Sequence, residues 1–313
     1  MDSVALFDIL TRLAPRLRFA LSAIHVNHQL NPNATQWSRF CRALCRARNI
    51  PLSVAKVTVK RGDSLEAAAR AARHAVFAKA RADYIALAHN QDDQVETLLL
   101  QLLRGAGVRG LAAMPVLGEL NSGSRREART TTWVLRPLLD APRSEIEAYA
   151  RARHLEWVED ESNAQTYFAR NFLRHEVLPV LARRYPAYRA TIARAARNLA
   201  DAAALLDDLA GADAGKALAE EGLSVSRLRR LSAPRARNLL RYFLALHEAR
   251  APAERLEEAL RQALTARDDA RVSIDLGEVE LRRFSGTLHV VRKLQTPVSR
   301  IKWQGEREVA LPE

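Results

Sequence analysis

Cysteine is scarce in this sequence, which limits the redox classes to which the protein can belong. Only two cysteines, Cys41 and Cys45, occur in 313 residues. They are too few for a disulfide scaffold, and their i, i+4 spacing is not that of a CxxC pair. This usage favours buried helix thiols in a reducing compartment.

Long apolar runs and targeting segments are also missing. The sequence has no stretch of about 18 consecutive apolar residues and no basic segment followed by a short apolar one, as in a signal peptide. It therefore predicts a cytoplasmic protein with no membrane partner. At 313 residues the chain is long enough for two domains, each with its own core.

Acidic residues are fewer than basic ones. Asp and Glu number 36 against 49 Lys and Arg, which gives a net charge of +13. Most of the basic residues are arginines, whose planar donors match phosphate oxygens. This balance favours a polyanionic partner, with nucleic acid as the leading class. The alternative, arginines that only solvate helix faces, stays open.

The first half of the chain alternates between helical and strand-like segments. Apolar runs at 19–30, 52–59 and 84–88 read as strands, and the segments between and around them have helical spacing. This alternation predicts a parallel sheet with helices on both faces, and ligands bind at the carboxyl ends of such strands. The segments that leave two of those ends are "HVNHQ" (25–29) and "HNQDD" (89–93).

The second half of the chain has a different character. Residues 118–132 are polar and aperiodic, which predicts a surface loop. The chain is almost wholly helical from 187 to 268, and 271–294 alternates with period two around turns at Gly277 and Ser285-Gly286. We therefore predict a catalytic α/β domain at 1–186, a helical domain closed by a small antiparallel sheet at 187–294, and a tail at 295–313.

Three groups of charged residues are candidates for a site. Asp92, Asp93 and Glu96 occupy the first turn of a predicted helix, beside His89. Carboxylates there either stabilise the helix dipole or hold magnesium or an amine. Arg70 and Arg73 share a helix face with Glu66, which an exposed ion-paired surface would explain, and the i, i+4 pair of Arg170 and Arg174 suits a phosphate or simply a solvated surface. Spacing alone does not decide between these interpretations.

A family resemblance favours the functional interpretations. In this order, the blocks that carry it are "DSVALFDIL", "HVNHQL", "SLEAAARAARHAVF", "LAHNQDDQVETLLLQLLRGAGVRGLAAM", "RPLL" and "EDESNAQTYFARNFLRHEVLPVL". Together, over residues 2–181, they closely resemble the tRNA(Ile)-lysidine synthases of the PP-loop ATP-pyrophosphatase superfamily. The resemblance implies a Rossmann-like α/β domain, and the later helical region resembles that family's first C-terminal domain.

The resemblance implies an activity. It is the joining of L-lysine to C2 of the wobble cytidine, C34, in a tRNA(Ile) with a CAU anticodon, with ATP first adenylating the cytosine oxygen. ATP and Mg²⁺ are the implied cofactors, tRNA and lysine are the implied partners, and a homodimer is allowed. Two alternatives stay open: another PP-loop tRNA enzyme such as a thiolation enzyme, and a noncatalytic tRNA-binding remnant.

Roles follow where residues match the family's blocks. The resemblance implies lysine binding by Asp93 and Glu96, which together with Arg73 and Arg170 form the expected catalytic set. For the other ligands it implies the following residues: Asp2, Ser3, Asn27, His28, Arg70 and Arg73 for ATP, Arg170, Arg174 and Arg104 for tRNA, and Asp92 for the metal.

One departure concerns the nucleotide loop. In the family it reads SGGxDS, a glycine-rich turn whose backbone N–H groups cradle phosphates. This chain begins "MDS", so only Asp2 and Ser3 of the loop are present. We expect that the first strand and the glycine loop are missing through truncation, and that ATP binding is weakened as a result.

Overall fold

The chain forms two compact units in a computed structural model. The structure describes residues 1–59, 65–120, 132–160, 166–218, 222–249, 251–267, 272–277 and 279–293. The units are Met1–Ala203 and Ala204–Glu313. The predicted domains 1–186 and 187–294 stay predictions, and the predicted tail 295–313 lies outside the described residues. In the part of the chain that is described, no helix has both the length and the apolar character needed to cross a membrane.

The helices of the first unit follow the amphipathic segments predicted from the sequence. They are α1 (Asp2–Leu17), α2 (Ala34–Ala47), α3 (Leu65–Phe77), α4 (Gln91–Leu103), α5 (Val108–Leu111), α6 (Arg143–Ala152), α7 (Ala169–Phe172), α8 (Leu178–Arg184) and the start of α9 (Tyr188–Ala214). A π-helical turn, Leu173–Val177, joins α7 to α8.

The strands of this unit pair mainly in parallel, which confirms the predicted class. They are β1 (Ala23–Asn27), β2 (Leu52–Lys56), β3 (Tyr84–Ala86), β4 (Leu117–Glu119) and β5 (Trp133–Leu135). The described strands form two sheets, in which β1 pairs in parallel with β2 and β3 in parallel with β5. β4 lies antiparallel to β5 at the edge of the second sheet.

Strand β4 overlaps the segment predicted as a loop at 118–132. For residues 118 and 119 that prediction was wrong, and the Leu120 N–H extends the pairing with a bond to the Thr132 carbonyl oxygen at 2.9 Å. A strand of three residues is too short to show period-two alternation, so the sequence carried no signal for it. Residues 121–131 of the predicted loop lie outside the described residues.

Both sheets contribute to one core beside α3. Phe77, Ile85 and Val134 are buried there, and Ile24 and Val26 of β1 pack against them. β-branched side chains fit the pleated surface of a strand, which explains their place in these segments. The same core therefore supports the strands that lead into "HVNHQ" and "HNQDD".

The second unit is helical with a small antiparallel sheet, as predicted. Its elements are the end of α9, β6 (Leu223–Ser224), α10 (Val225–Arg229), α11 (Ala233–Leu246), α12 (Ala253–Thr265), β7 (Ser273–Asp275), β8 (Val279–Phe284) and β9 (Thr287–Arg292). The strand order is β6-β9-β8-β7. The predicted turn at Ser285-Gly286 joins β8 to β9 with positive φ at both residues. The core centres on Leu240, Phe243 and Leu281.

Candidate active site

The first turn of α4 is built on a reciprocal cap. The Asn90 side chain accepts a hydrogen bond from the Asp93 N–H at 3.1 Å, and Oδ2 of Asp93 accepts one from the Asn90 N–H at 3.0 Å. This capping box satisfies two backbone donors that a helix start would otherwise leave unpaired. Asp93 therefore stabilises the helix through one oxygen, while its Oδ1 lies 3.5 Å from Nη2 of Arg174.

Glu96 lies one turn further along α4 and is fully buried, with 0% exposure. Arg174 binds both of its oxygens, through Nε at 2.7 Å and Nη2 at 3.0 Å. Burial raises the pKa of Glu96, and the hydrogen bonds and charge of Arg174 oppose that rise. Burial likewise raises the pKa of Asp93, against the Asn90 N–H bond and the charges of Arg170 and Arg174. A carboxylate with a raised pKa is a stronger proton acceptor.

Arg170 and Arg174 reach α4 from α7 and the π-helical turn that follows it. Arg170 donates from Nη2 to Oγ1 of Thr97 at 3.0 Å, and its Nε lies 3.4 Å from Oε2 of Glu96. The i, i+4 pair predicted from the sequence therefore faces the acids of α4. Contacts of these arginines with phosphate stay a prediction.

Asp92 has a different set of partners. Its Oδ2 accepts a hydrogen bond from the Arg143 N–H at 2.9 Å, at the first residue of α6, and its Oδ1 lies 2.5 Å from Nε of Arg189. Both oxygens are therefore committed to protein donors, which anchor α6 and α9 to α4. A role for Asp92 as a magnesium ligand stays a prediction.

His89 follows the carboxyl end of β3, where the charges of four arginines act on it. Nε of Arg136 donates to its Nδ1 at 3.3 Å. Burial, and then the charges of Arg136, Arg170, Arg73 and Arg70, lower the pKa of His89 to about 3. The ring is therefore neutral at physiological pH, and the positive charge around it suits an anionic group.

The charge of Arg73 reaches the end of β1 as well. Burial and Arg73, with a smaller contribution from His25, lower the pKa of His28. Nδ1 of His28 is buried and has no hydrogen-bond partner among the described residues. The charge of Arg73 therefore acts on both histidines, one in each of the segments that follow β1 and β3. Arg73 itself is half-buried and Arg70 is exposed.

Asn27 is buried at the end of β1 and shapes the turn that follows it. Its side-chain N–H₂ donates to the Ala34 carbonyl at 3.2 Å and to Oγ of Ser38 at 3.1 Å, and its Oδ1 accepts from the Gln29 N–H at 2.8 Å. These bonds hold Gln29 at a φ of 56°. Asn27 therefore has a clear structural role, and its contact with ATP stays a prediction.

The remaining predicted residues lie at helix ends. Asp2 begins α1 and joins the site, because its Oδ1 accepts from the Asn90 side chain at 3.4 Å and its Oδ2 lies 3.4 Å from Nη1 of Arg143. Ser3 follows it and is exposed. Arg104 is exposed at the C-terminal cap of α4, at the opposite end of that helix from Asp93, so it does not join the acid cluster.

Sequence reasoning missed three arginines at this site. Arg136 bonds His89, while Arg143 and Arg189 bond Asp92. A signal for Arg136 was present, since it directly follows the apolar run of β5 and so occupies the carboxyl end of a strand. The sequence carried no such signal for Arg189, because it lies on a helix far along the chain.

A cleft of about 370 Å³ opens behind Glu96. Its walls combine acids, arginines and apolar side chains, namely Asp92, Glu96, Arg143, Arg174, Leu178, Pro179, Ala182, Tyr188 and Arg189. The hydroxyl of Tyr188 is buried without a hydrogen-bond partner in the part of the chain that is described. The cleft offers charges of both signs beside an apolar wall.

Comparison with known proteins identifies the family. A family described as the PP-loop domain matches residues 1–181, and one described as the TilS substrate binding domain matches residues 223–289. Among solved structures, the U34-tRNA thiolase NcsA from Methanococcus maripaludis, with its [4Fe-4S] cluster, is 17% identical with a TM-score of 0.49, over 63% of this chain and 68% of that one.

Curated relatives are much closer in sequence. The tRNA(Ile)-lysidine synthase of Nitrosomonas europaea is 45% identical over 99% of this chain and 68% of its own length. That of Chromobacterium violaceum is 45% identical over 100% of this chain and 72% of its own length. The chain therefore belongs to the tRNA(Ile)-lysidine synthase family, as a PP-loop enzyme of tRNA modification.

Proposed function

We propose that this protein joins the side-chain amine of L-lysine to C2 of the wobble cytidine, C34, in a tRNA(Ile) with a CAU anticodon, at the expense of ATP. One observation carries the proposal. Two carboxylates, the buried Glu96 and the half-buried Asp93, lie at the start of α4, and the neutral His89, on which the charges of four arginines act, precedes them, so that an amine site adjoins an anion site. Arg170 belongs to both groups.

The reaction needs two steps because the C2 carbonyl of cytosine is a poor electrophile. The C2 oxygen first attacks the α-phosphorus of ATP, which forms an adenylated cytidine and releases pyrophosphate. The neutral lysine amine then attacks C2, the C2–O bond breaks, and AMP leaves with that oxygen. The proton lost by the amine passes to a general base.

Asp93 and Glu96 fit both tasks that the amine requires. Carboxylates bind an ammonium group by charge-assisted hydrogen bonds. Their raised pKa values then favour taking the proton as the amine attacks. Oδ1 of Asp93 is the better candidate base, because it is bonded less closely to Arg174 than the oxygens of Glu96 are.

The cleft behind Glu96 has the chemistry of an amino-acid site. Leu178 and Ala182 offer an apolar wall for the methylene chain of lysine, and Arg189 and the Tyr188 hydroxyl offer donors for its carboxylate. A volume of about 370 Å³ is at the lower end of the range of ligand pockets, which suits a small substrate.

The arginines around His89 support binding of the ATP phosphates. Magnesium normally binds protein through one or two carboxylates together with substrate phosphates. Among the described residues no cluster of three or more possible ligands occurs. Asp2, which accepts a hydrogen bond from the Asn90 side chain at the start of α4, is the carboxylate that would hold magnesium, and the metal would neutralise phosphate charge.

The cysteines give no support to thiolation. Burial raises the pKa of both Cys41 and Cys45, which disfavours the reactive thiolate. Cys41 also contacts Nδ1 of His25 at 3.6 Å, within the packing of α2 against β1.

The test is transfer of labelled lysine to a CAU-anticodon tRNA(Ile) transcript with ATP and magnesium. A methionine tRNA with the same anticodon is the RNA control. We expect transfer to tRNA(Ile) alone, a loss of roughly 100-fold or more in Asp93→Asn, and wild-type transfer in the exposed control Glu147→Gln. Absence of transfer by the wild-type chain at saturating ATP, with tRNA still bound, would instead support a noncatalytic tRNA-binding protein.

A further inference from the structure

Arg136 is a buried cation for which the described residues supply no counter-charge. It directly follows β5 and is 7% exposed. Its Nη1 donates to the Pro115 carbonyl at 2.8 Å and its Nε to Nδ1 of His89 at 3.3 Å. Both acceptors are neutral, and no carboxylate of the described residues lies within ion-pair distance of it. A buried charge normally requires an ionic partner, because removing it from water is unfavourable.

The surroundings of Arg136 add further positive charge. Burial, and then the charge of Arg70, lower the pKa of Arg136. Arg70, Arg73 and Arg136 all act on His74 in the same way, after burial, to lower its pKa. The guanidinium therefore faces other cations, an arrangement that an anionic ligand would stabilise.

The position of Arg136 is fixed from α4. The buried amide of Gln94 forms two hydrogen bonds with the backbone of Met114, donating to its carbonyl at 2.8 Å and accepting from its N–H at 3.0 Å. The next residue, Pro115, supplies the carbonyl that holds Nη1 of Arg136. The Arg136 N–H is bonded in turn to the Val116 carbonyl at 2.8 Å. A guanidinium held this firmly is preorganised for a ligand.

The bond to His89 also determines the tautomer of that ring. An arginine donates and cannot accept, so Nδ1 of the neutral imidazole is the acceptor and Nε2 carries the proton. Nε2–H is therefore a hydrogen-bond donor on the side of the ring away from Arg136, and an anion could bind it together with the arginines whose charges act on His89.

We propose that Arg136 binds the pyrophosphoryl group of the nucleotide and holds His89 with its Nε2–H available to the same group. This inference rests on the proposed function, in which pyrophosphate is the leaving group. Arg136, at the end of β5, would thus join Arg70 and Arg73 of α3 and His89 after β3 as a residue that contacts the phosphates.

The experiment measures binding of inorganic pyrophosphate by calorimetry, for wild type, Arg136→Gln and Arg136→Lys. Arg151→Gln is the matched control, because Arg151 is exposed and paired only along its own helix with Glu147. We expect pyrophosphate affinity to fall roughly 10- to 100-fold in Arg136→Gln and less in Arg136→Lys, which keeps the charge without the fork. Affinity for tRNA should be unchanged in both.

A second measurement covers the case in which Arg136→Gln does not fold. Nitrogen NMR of His89 in wild type should show the Nε2–H tautomer, and Arg136→Lys should show a mixture of both tautomers. Unchanged pyrophosphate affinity in folded Arg136 variants, a fall in tRNA affinity alone, or an Nδ1–H tautomer in wild type would each overturn the proposal. If Arg136 contributes to pyrophosphate binding but no lysine is transferred, this inference stands and the proposed function is wrong. If lysine is transferred but the Arg136 variants bind pyrophosphate as wild type does, the proposed function stands and this inference is wrong.

Discussion

Replacing Glu96 by glutamine tests the acid cluster most sharply. The side chain keeps its volume and loses its charge at a position with 0% exposure. Arg174, with a side chain 24% exposed, then loses its bidentate partner, and Arg170 loses its only carboxylate contact among the described residues. The change therefore leaves two partly buried cations without their main counter-charge.

The magnitude follows from the burial of these groups. Breaking a fully buried ion pair by neutralising one partner costs about 3–5 kcal/mol. Arg174 retains some contact with water and lies 3.5 Å from Asp93, and the glutamine oxygen still accepts one hydrogen bond. Burial also raises the pKa of Glu96, so neutralising this residue removes a desolvation cost, and we expect a net loss of about 1 kcal/mol in the free energy of unfolding.

The assay is urea unfolding followed by circular dichroism, together with lysine transfer. Glu147→Gln is the control, since it breaks an exposed i, i+4 pair with Arg151 and should cost less than about 0.5 kcal/mol. Adding Arg174→Gln to Glu96→Gln should restore part of the lost stability, because it removes an unpaired charge. A loss in Glu96→Gln as small as that of the control would refute the reasoning.

Three further predictions concern other parts of the first unit. Burial acts to raise the pKa of Asp8, but hydrogen bonds from Tyr149 and Arg48 outweigh it and hold the pKa low. The ionised Asp8 therefore stabilises the fold above its ordinary pKa, and this stability is lost as the pH falls. Asp8→Asn should make the free energy of unfolding depend less steeply on pH in acid. With a pKa of about 3, His89 should show no protonation by NMR above pH 5, and a titration near pH 6.5 would contradict this. Gln94→Ala should reduce the free energy of unfolding by about 2 kcal/mol, because two buried hydrogen bonds are lost, and so should lower the urea midpoint. An unchanged midpoint would contradict this prediction.

The fold was largely predictable because its signals are local. Helical spacing and apolar runs gave the elements around α1 to α4, and period-two alternation gave the hairpin of β8 and β9. β4 was missed, because its three residues gain their order from pairing with β5 rather than from a pattern of their own. The two-sheet arrangement of the described strands also depends on long-range pairing.

The site was predictable only in part, for a similar reason. Asp93 and Glu96 were predicted as site residues because two acids at a helix start after a strand form a local pattern. Their partners were not, because the contact of Arg174 with Glu96 joins residues 78 positions apart. The commitment of both Asp92 oxygens to Arg143 and Arg189 is likewise a property of the packed structure.

Mass analysis of the wobble nucleoside is the most direct test of the central claim. CAU-anticodon tRNA(Ile) is incubated with the protein, magnesium and lysine, with and without ATP, and is then digested to nucleosides. The account predicts a lysine adduct of cytidine at position 34 that forms only with ATP, and AMP released in equal amount. Unmodified cytidine, or cytidine that carries sulfur in place of the C2 oxygen, would contradict it.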